Sequence, residues 1–102
     1  MVQVHRLLAC GLVWMGLAMP ARGAGPNHRD LRYSTKYERS VLDLWTVPSD
    51  RPAPLVVYFH GGGFRAGDKK VFYRSRFVKK YHPRGVAFAT VNYPFLKQTG
   101  RD

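Results

Sequence analysis

Acidic residues are scarce in this chain: 6 Asp and Glu stand against 17 Lys and Arg in 102 residues, a net charge of +11. An excess of that size makes polyanions the partners that charge alone favours. Cysteine is almost missing, with Cys10 the only one. A single thiol closes no intrachain disulfide, so the fold has to rest on its core. Metal-ligand clusters are lacking as well. His28, His60 and His82 are widely separated, and none has a His, Cys or Glu partner at ligand spacing. No metal and no cofactor is therefore expected. Long apolar runs are also absent. The longest, Leu7 to Met19, is about 13 residues, short of the ~20 that span a bilayer. No stable membrane span is expected.

That apolar run belongs to a recognisable pattern. His5 and Arg6 give a weakly positive start, Leu7 to Met19 an apolar middle, and Pro20-Ala21-Arg22-Gly23-Ala24 a small-residue end. This is the layout of a secretory signal peptide over residues 1–24, with cleavage after Gly23 or Ala24. A buried helix or short anchor is the alternative. Leu7-Leu8-Ala9-Cys10 comes too early in the run to be a lipoprotein acylation box. Removal of the signal would take Cys10 with it and place residues 25–102 in the periplasm or outside the cell.

The most informative stretch of the remainder is His60-Gly61-Gly62-Gly63-Phe64. It follows Leu55-Val56-Val57-Tyr58-Phe59, an apolar, β-rich run that reads as a buried strand. Three glycines at a strand end allow a sharp turn with positive φ. They also leave main-chain N–H groups bare to a negative oxygen, which is how an oxyanion hole is built. A plain flexible loop has the same composition. A phosphate-binding turn would need Lys-Ser or Lys-Thr after its last glycine, and Gly67-Asp68-Lys69-Lys70 does not supply it.

Around this motif the chain reads as strand, helix, strand. Gly25 to Arg29 is a polar leading segment, and Arg32 to Lys36 gives a first strand around Tyr33. Glu38 to Val47 alternates as a strand should, with Leu42, Leu44 and Thr46 against Val41, Asp43, Trp45 and Val47. Residues 48–54 form a Pro-rich loop. Gly67-Asp68 opens a helix with Asp68 as N-cap. Tyr73, Phe77 and Tyr81, beside Phe72 and Val78, form its apolar stripe. His82-Pro83-Arg84-Gly85 ends it, and Val86 to Tyr93 is a second buried strand. This order predicts a right-handed crossover and a parallel sheet, an α/β fold.

Val41 to Pro48, Arg51-Pro52-Ala53-Pro54, the glycine motif, Gly67-Asp68-Lys69 and Ala89-Thr90-Val91-Asn92-Tyr93 occur in one order. That order resembles the start of an α/β-hydrolase of the carboxylesterase type, as in hormone-sensitive-lipase-like and feruloyl- or acetylxylan-esterase-like enzymes. The likeness covers about residues 30–95. Pro94 departs from it, since such enzymes often carry Arg there. The resemblance implies that Gly62 and Gly63 N–H groups form the oxyanion hole, that Gly61 permits the turn and that His60 supports the loop. A general-base role for His60 is the weaker reading, because the family's catalytic His lies far downstream. It further implies hydrolysis of a small-molecule carboxylic ester through an acyl-enzyme. The chain contains no G-x-S-x-G nucleophile elbow. Its serines, Ser34, Ser40, Ser49 and Ser75, are not flanked by glycines. The expectation is therefore a truncated N-terminal part of a hydrolase domain, without nucleophile, acid or base, inactive alone and only marginally stable.

The charge supports a rival. Lys69, Lys70, Arg74, Arg76, Lys79 and Lys80 lie among Phe72, Tyr73, Phe77 and Tyr81. Such a stretch suits a small secreted protein that binds polyanionic glycans or anionic surfaces. The same pattern also arises from a helix with an apolar face inward and a solvated basic face outward. Extracellular placement argues against nucleic acid as partner.

Overall fold

A computed structural model describes residues 25–101, and the signal peptide expected over residues 1–24 lies outside them. Among the described residues, β1 (His28–Arg32), β2 (Val41–Trp45), β3 (Leu55–Phe59) and β4 (Ala87–Val91) form one sheet in the order β1-β2-β4-β3. The β3–β4 pair is parallel, as the intervening helical segment requires. β1–β2 and β2–β4 are antiparallel. The architecture is α/β, and the sheet is mixed where a parallel one was expected. The short loop from β1 to β2 has room only for an antiparallel return. The first strand also lies earlier than residues 32–36. Tyr33 starts that loop instead: its N–H closes it onto the Ser40 carbonyl at 3.0 Å, and its hydroxyl donates to the Asn92 carbonyl at 2.6 Å.

Register decides which side chains share a face. Trp45 and Val56 pair with Phe88, and Asp43 and Tyr58 with Thr90, so all six point to the same side. That side carries the helical layer: a 3-10 segment (Lys69–Arg74), α1 (Arg76–Tyr81) and a last 3-10 turn (His82–Arg84). Trp45, Phe72, Val78 and Phe88 form the buried core, bordered by Tyr58, Tyr73, Tyr81 and Val86. The rings pack by edge and face. Trp45 meets Phe72 and Tyr73 edge-on at 6.1 and 5.7 Å, and Tyr58 stacks on Phe72 at 4.3 Å.

The helical stripe differs from its expectation. Asp68 caps the 3-10 segment by accepting from the Lys70 N–H at 2.9 Å. The helix then breaks at Ser75, which is extended (φ −64°, ψ 132°) and caps α1 through its own hydroxyl. This break resets the register. Phe72 and Val78 are buried and Tyr73 and Tyr81 half-buried, but Phe77 is 64% exposed.

β3 is not the buried strand its composition suggests. It is the edge of the sheet, and Leu55, Val57 and Phe59 alternate onto the face away from the helical layer, 46–62% exposed. On the same face Ala89 and Val91 of β4 are buried, so the exposure is confined to the edge strand. β4, flanked by β2 and β3, takes the buried position, with Phe88 to Val91 all buried.

Candidate functional site

The glycine motif leaves the carboxyl end of β3, beside the carboxyl end of its parallel neighbour β4. Gly62 (φ 128°), Gly63 (φ 62°) and Phe64 (φ 62°) all take positive φ, so the chain doubles back on itself. The Gly62 carbonyl accepts from the Arg65 and Ala66 N–H groups at 3.0 and 3.2 Å and closes the bend. A Cβ at Gly62 would lie 1.9 Å from the Ala66 carbonyl oxygen, so no other residue fits there. Phe64 is the strained member, since a bulky side chain rarely takes this backbone. The Leu96 N–H at the start of the short helix α2 (Leu96–Thr99) holds the Phe64 carbonyl at 2.9 Å.

Within this bend the N–H groups of Gly62 and Gly63 donate to no acceptor among the described residues, and both glycines are exposed. Two adjacent main-chain donors without an acceptor among the described residues are groups that an anion can engage. Gly61 is likewise exposed.

His60 lies buried beneath the bend. Its ring stacks on Tyr93 at 4.5 Å, and the Tyr93 hydroxyl donates a short hydrogen bond to the His60 carbonyl. Nδ1 is 2.7 Å from the Gly61 carbonyl, and Nε2 is 3.4 Å from Arg39 Nη2. A carbonyl only accepts and a guanidinium only donates. The network therefore assigns the neutral tautomer with the proton on Nδ1. Both ring nitrogens are engaged, which leaves no lone pair facing solvent above the bend. Gly67 (φ 108°) closes the other side: a Cβ there would meet His60 Nδ1 at 2.4 Å and the Gly61 carbonyl oxygen at 2.5 Å.

Arg39, from the β1–β2 loop, ties the bend to β4. Its Nε donates to the Tyr93 carbonyl and its Nη2 to the Gly67 carbonyl, each at 3.0 Å. Its guanidinium lies 3.9 Å over the Phe95 ring. Nothing in the sequence marks Arg39 out among so many basic residues.

Beneath Gly67-Asp68-Lys69 lies a buried ionic network. Lys69, 2% exposed, places Nζ 2.9 Å from Asp43 and 3.0 Å from Asp30. Asp43, fully buried, also accepts from the Tyr73 hydroxyl and from the Asp30 N–H. The Lys69 main chain is held by Asn92 Oδ1 and Thr90 Oγ1, both at 2.8 Å. Burial pushes the Asp43 carboxyl up. The hydrogen bonds from Tyr73, the Asp30 N–H and Lys69, with the charge of Lys69, outweigh it and bring the group below its ordinary value. Burial pulls Lys69 down, and its two carboxylates carry it above its ordinary value. Burial and the hydrogen bond to Asp43 push Tyr73 up to about 12. Asp68 follows the same logic as Asp43: burial raises it, and the Lys70 N–H, the Asn92 amide and the charges of Lys69 and Arg39 bring it below its ordinary value.

These residues hold the bend without offering a nucleophile. Ser34, Ser49 and Ser75 bond to nearby backbone, and Ser40 is buried at the start of β2. Among the described residues no group of three His, Cys, Asp or Glu is placed to hold a metal. No helix among them is long and apolar enough to cross a membrane. Comparison with protein-family models, with curated proteins and with solved structures finds no match for the chain.

Proposed function

We propose that the bend is part of an oxyanion hole and that the chain carries the leading portion of an α/β-hydrolase of the carboxylesterase type. One observation supports this above the rest: the Gly62 and Gly63 N–H groups have no acceptor among the described residues. As an ester carbonyl is attacked, its oxygen becomes an alkoxide, and these donors would stabilise that charge more than the neutral carbonyl. Loss of one such donor typically costs a hundred- to a thousandfold in kcat, or about 2.7–4 kcal/mol. The donors are held by the surrounding loop before the reaction, so little reorganisation opposes them. His60 supports the bend in this reading and takes no proton.

The 102 residues contain no G-x-S-x-G. A serine, its acid and base, and a further N–H would have to come from chain outside them, and esterase activity is not expected of these residues alone. The test is to extend the coding sequence past Asp102 and express the longer product. The proposal expects a G-x-S-x-G some tens of residues on and hydrolysis of p-nitrophenyl acetate. Gly62→Ala should cut kcat at least a hundredfold, because the added Cβ collides with Ala66. A continuation without the motif, or hydrolysis indifferent to Gly62→Ala, refutes it.

A second reading is favoured by the exposure of Phe77 and Val71, 64% and 62%, beside exposed Lys70, Arg74, Arg76, Lys79 and Lys80. Exposed apolar side chains interspersed with cations suit a polyanionic glycan or an anionic surface. Retention on immobilised heparin that falls steeply with salt, and falls further in a Lys79→Glu/Lys80→Glu variant, supports it. Elution at low salt without change in the variant argues against it.

A further inference from the structure

Beside the bend lies an open cleft of about 600 Å³, lined by Arg39, Arg65, Phe95, Lys97 and Gln98. Among these described lining residues three are cations and none is an acid. We propose that this cleft binds the carboxylate of a small organic acid, with Arg39 as its anchor. The site stands whether or not the bend serves as an oxyanion hole.

Arg39 carries the argument. It is half-buried and its head is fixed in place by the Tyr93 carbonyl, the Gly67 carbonyl and the Phe95 ring. Those partners are neutral, so they orient the guanidinium without cancelling its charge. No carboxylate among the described residues pairs with it. The acid that feels its charge, Asp68, has its own oxygens committed to the Lys70 N–H and the Asn92 amide. Nη1 of Arg39 contacts no acceptor among the described residues. An immobilised cation with an open N–H edge is the group that recognises a carboxylate through a charge-assisted hydrogen bond. Little side-chain entropy remains to be lost on binding, because the residue is already ordered.

The remaining lining sets the rest of the ligand. Lys97 adds a second cation from α2, and Phe95 an apolar wall. The volume falls within the 300–1,000 Å³ typical of small-molecule sites, much larger than acetate needs. With Phe95 as an apolar wall the cleft has room for an acid with an organic body, and benzoate is a suitable probe.

The test is calorimetric titration of the full 102-residue chain at low salt with benzoate, with neutral benzamide and with inorganic phosphate. Expected is saturable one-to-one binding of benzoate, at least tenfold tighter than benzamide or phosphate. Arg39→Gln should weaken benzoate tenfold or more. Arg39 also braces the bend, so Lys97→Glu provides the second variant. Lys97 is exposed, and its change should weaken benzoate at least threefold with an unaltered circular dichroism spectrum. Absence of saturable binding overturns the site. So does equal binding of benzoate and benzamide, phosphate binding as tight as benzoate, or an affinity that ignores Lys97→Glu.

Discussion

Replacing Lys69 by Met removes the only buried cation of the Asp43 network while keeping most of the side-chain volume. Asp43 then remains fully buried with its Tyr73 and Asp30 N–H bonds but without the ammonium at 2.9 Å. Removing one partner of a buried pair costs about 3–5 kcal/mol. The two surviving hydrogen bonds place this case near about 3 kcal/mol. In a domain of this size each kcal/mol moves the midpoint by roughly 4–8 °C, so Tm should fall by roughly 12–24 °C. Thermal and urea denaturation of the chain measure this. The double variant Asp43→Asn/Lys69→Met should lose at least about 1 kcal/mol less than the two single losses combined, because the stranded charge is gone. Acidity gives an independent check. Asp43 lies below its ordinary value in the fold, so its contribution is present near neutral pH and is lost as pH falls through the depressed value. In the Lys69→Met variant burial acts on Asp43 without that cation, and its carboxyl moves up. The gap between variant and parent should therefore narrow as pH falls from 7 towards 3. At the alkaline end Lys69 is raised above its ordinary value, so the parent's advantage is complete below that value and fades as pH rises through the raised one. A loss under about 1 kcal/mol at pH 7, or a gap that ignores pH, would refute the reasoning.

Two further outcomes follow from the same structure. Gly67→Ala should destabilise by more than about 2 kcal/mol in denaturant titrations, because strain at positive φ adds to collisions with His60 and Gly61; a loss below 1 kcal/mol would mean the bend is not held as described. Val57→Lys with Phe59→Lys, on the exposed face of β3, should lower binding of a hydrophobic dye and raise solubility, with stability changed by less than about 1 kcal/mol; a large loss of stability would show that this face is in fact packed.

Where the sequence could be read, one local rule acted alone. β2 was visible through its period-two alternation. Asp68 was visible as a cap because a short acceptor before a helical run has few other uses. β4 was visible because an apolar run with no turn residues suits a central strand. The same rule failed for β3, since apolar composition does not distinguish a central strand from an edge, and only the order β1-β2-β4-β3 decides it. The stripe of Tyr73, Phe77 and Tyr81 assumed one continuous helix, whereas a hydroxyl cap at Ser75 resets the phase. The ionic network did have a signal. Asp43 alternates with Val41 and Trp45, which the structure buries, and a lone acid on that face requires a cation. Lys69 as that cation, and Arg39 as the brace, depend on contacts 26 and 28 residues away in sequence, which no local pattern carries.

The bend shows what these distant contacts hold in place. Its middle is exposed, and its ends are tied. His60 is held by Tyr93, Gly67 by Arg39, and Lys69 by Asn92, Thr90 and Asp43. Three of those holding residues, Thr90, Asn92 and Tyr93, lie on or just past the end of β4, the strand parallel to the one that leads into the bend. A solvent-exposed connection needs no such fastening, because loop closure costs little and water satisfies its amides. A loop that presents two amides to one oxygen, as proposed for this bend, does need it. Otherwise Phe64, at φ 62°, would relax to ordinary backbone. On the proposed reading, the fastening is what separates a loop able to stabilise a developing charge from one that only turns the chain. It also places Arg39 where one guanidinium braces the bend and faces the neighbouring cleft, so altering that residue should disturb both sites together, whereas Lys97→Glu should disturb the cleft alone.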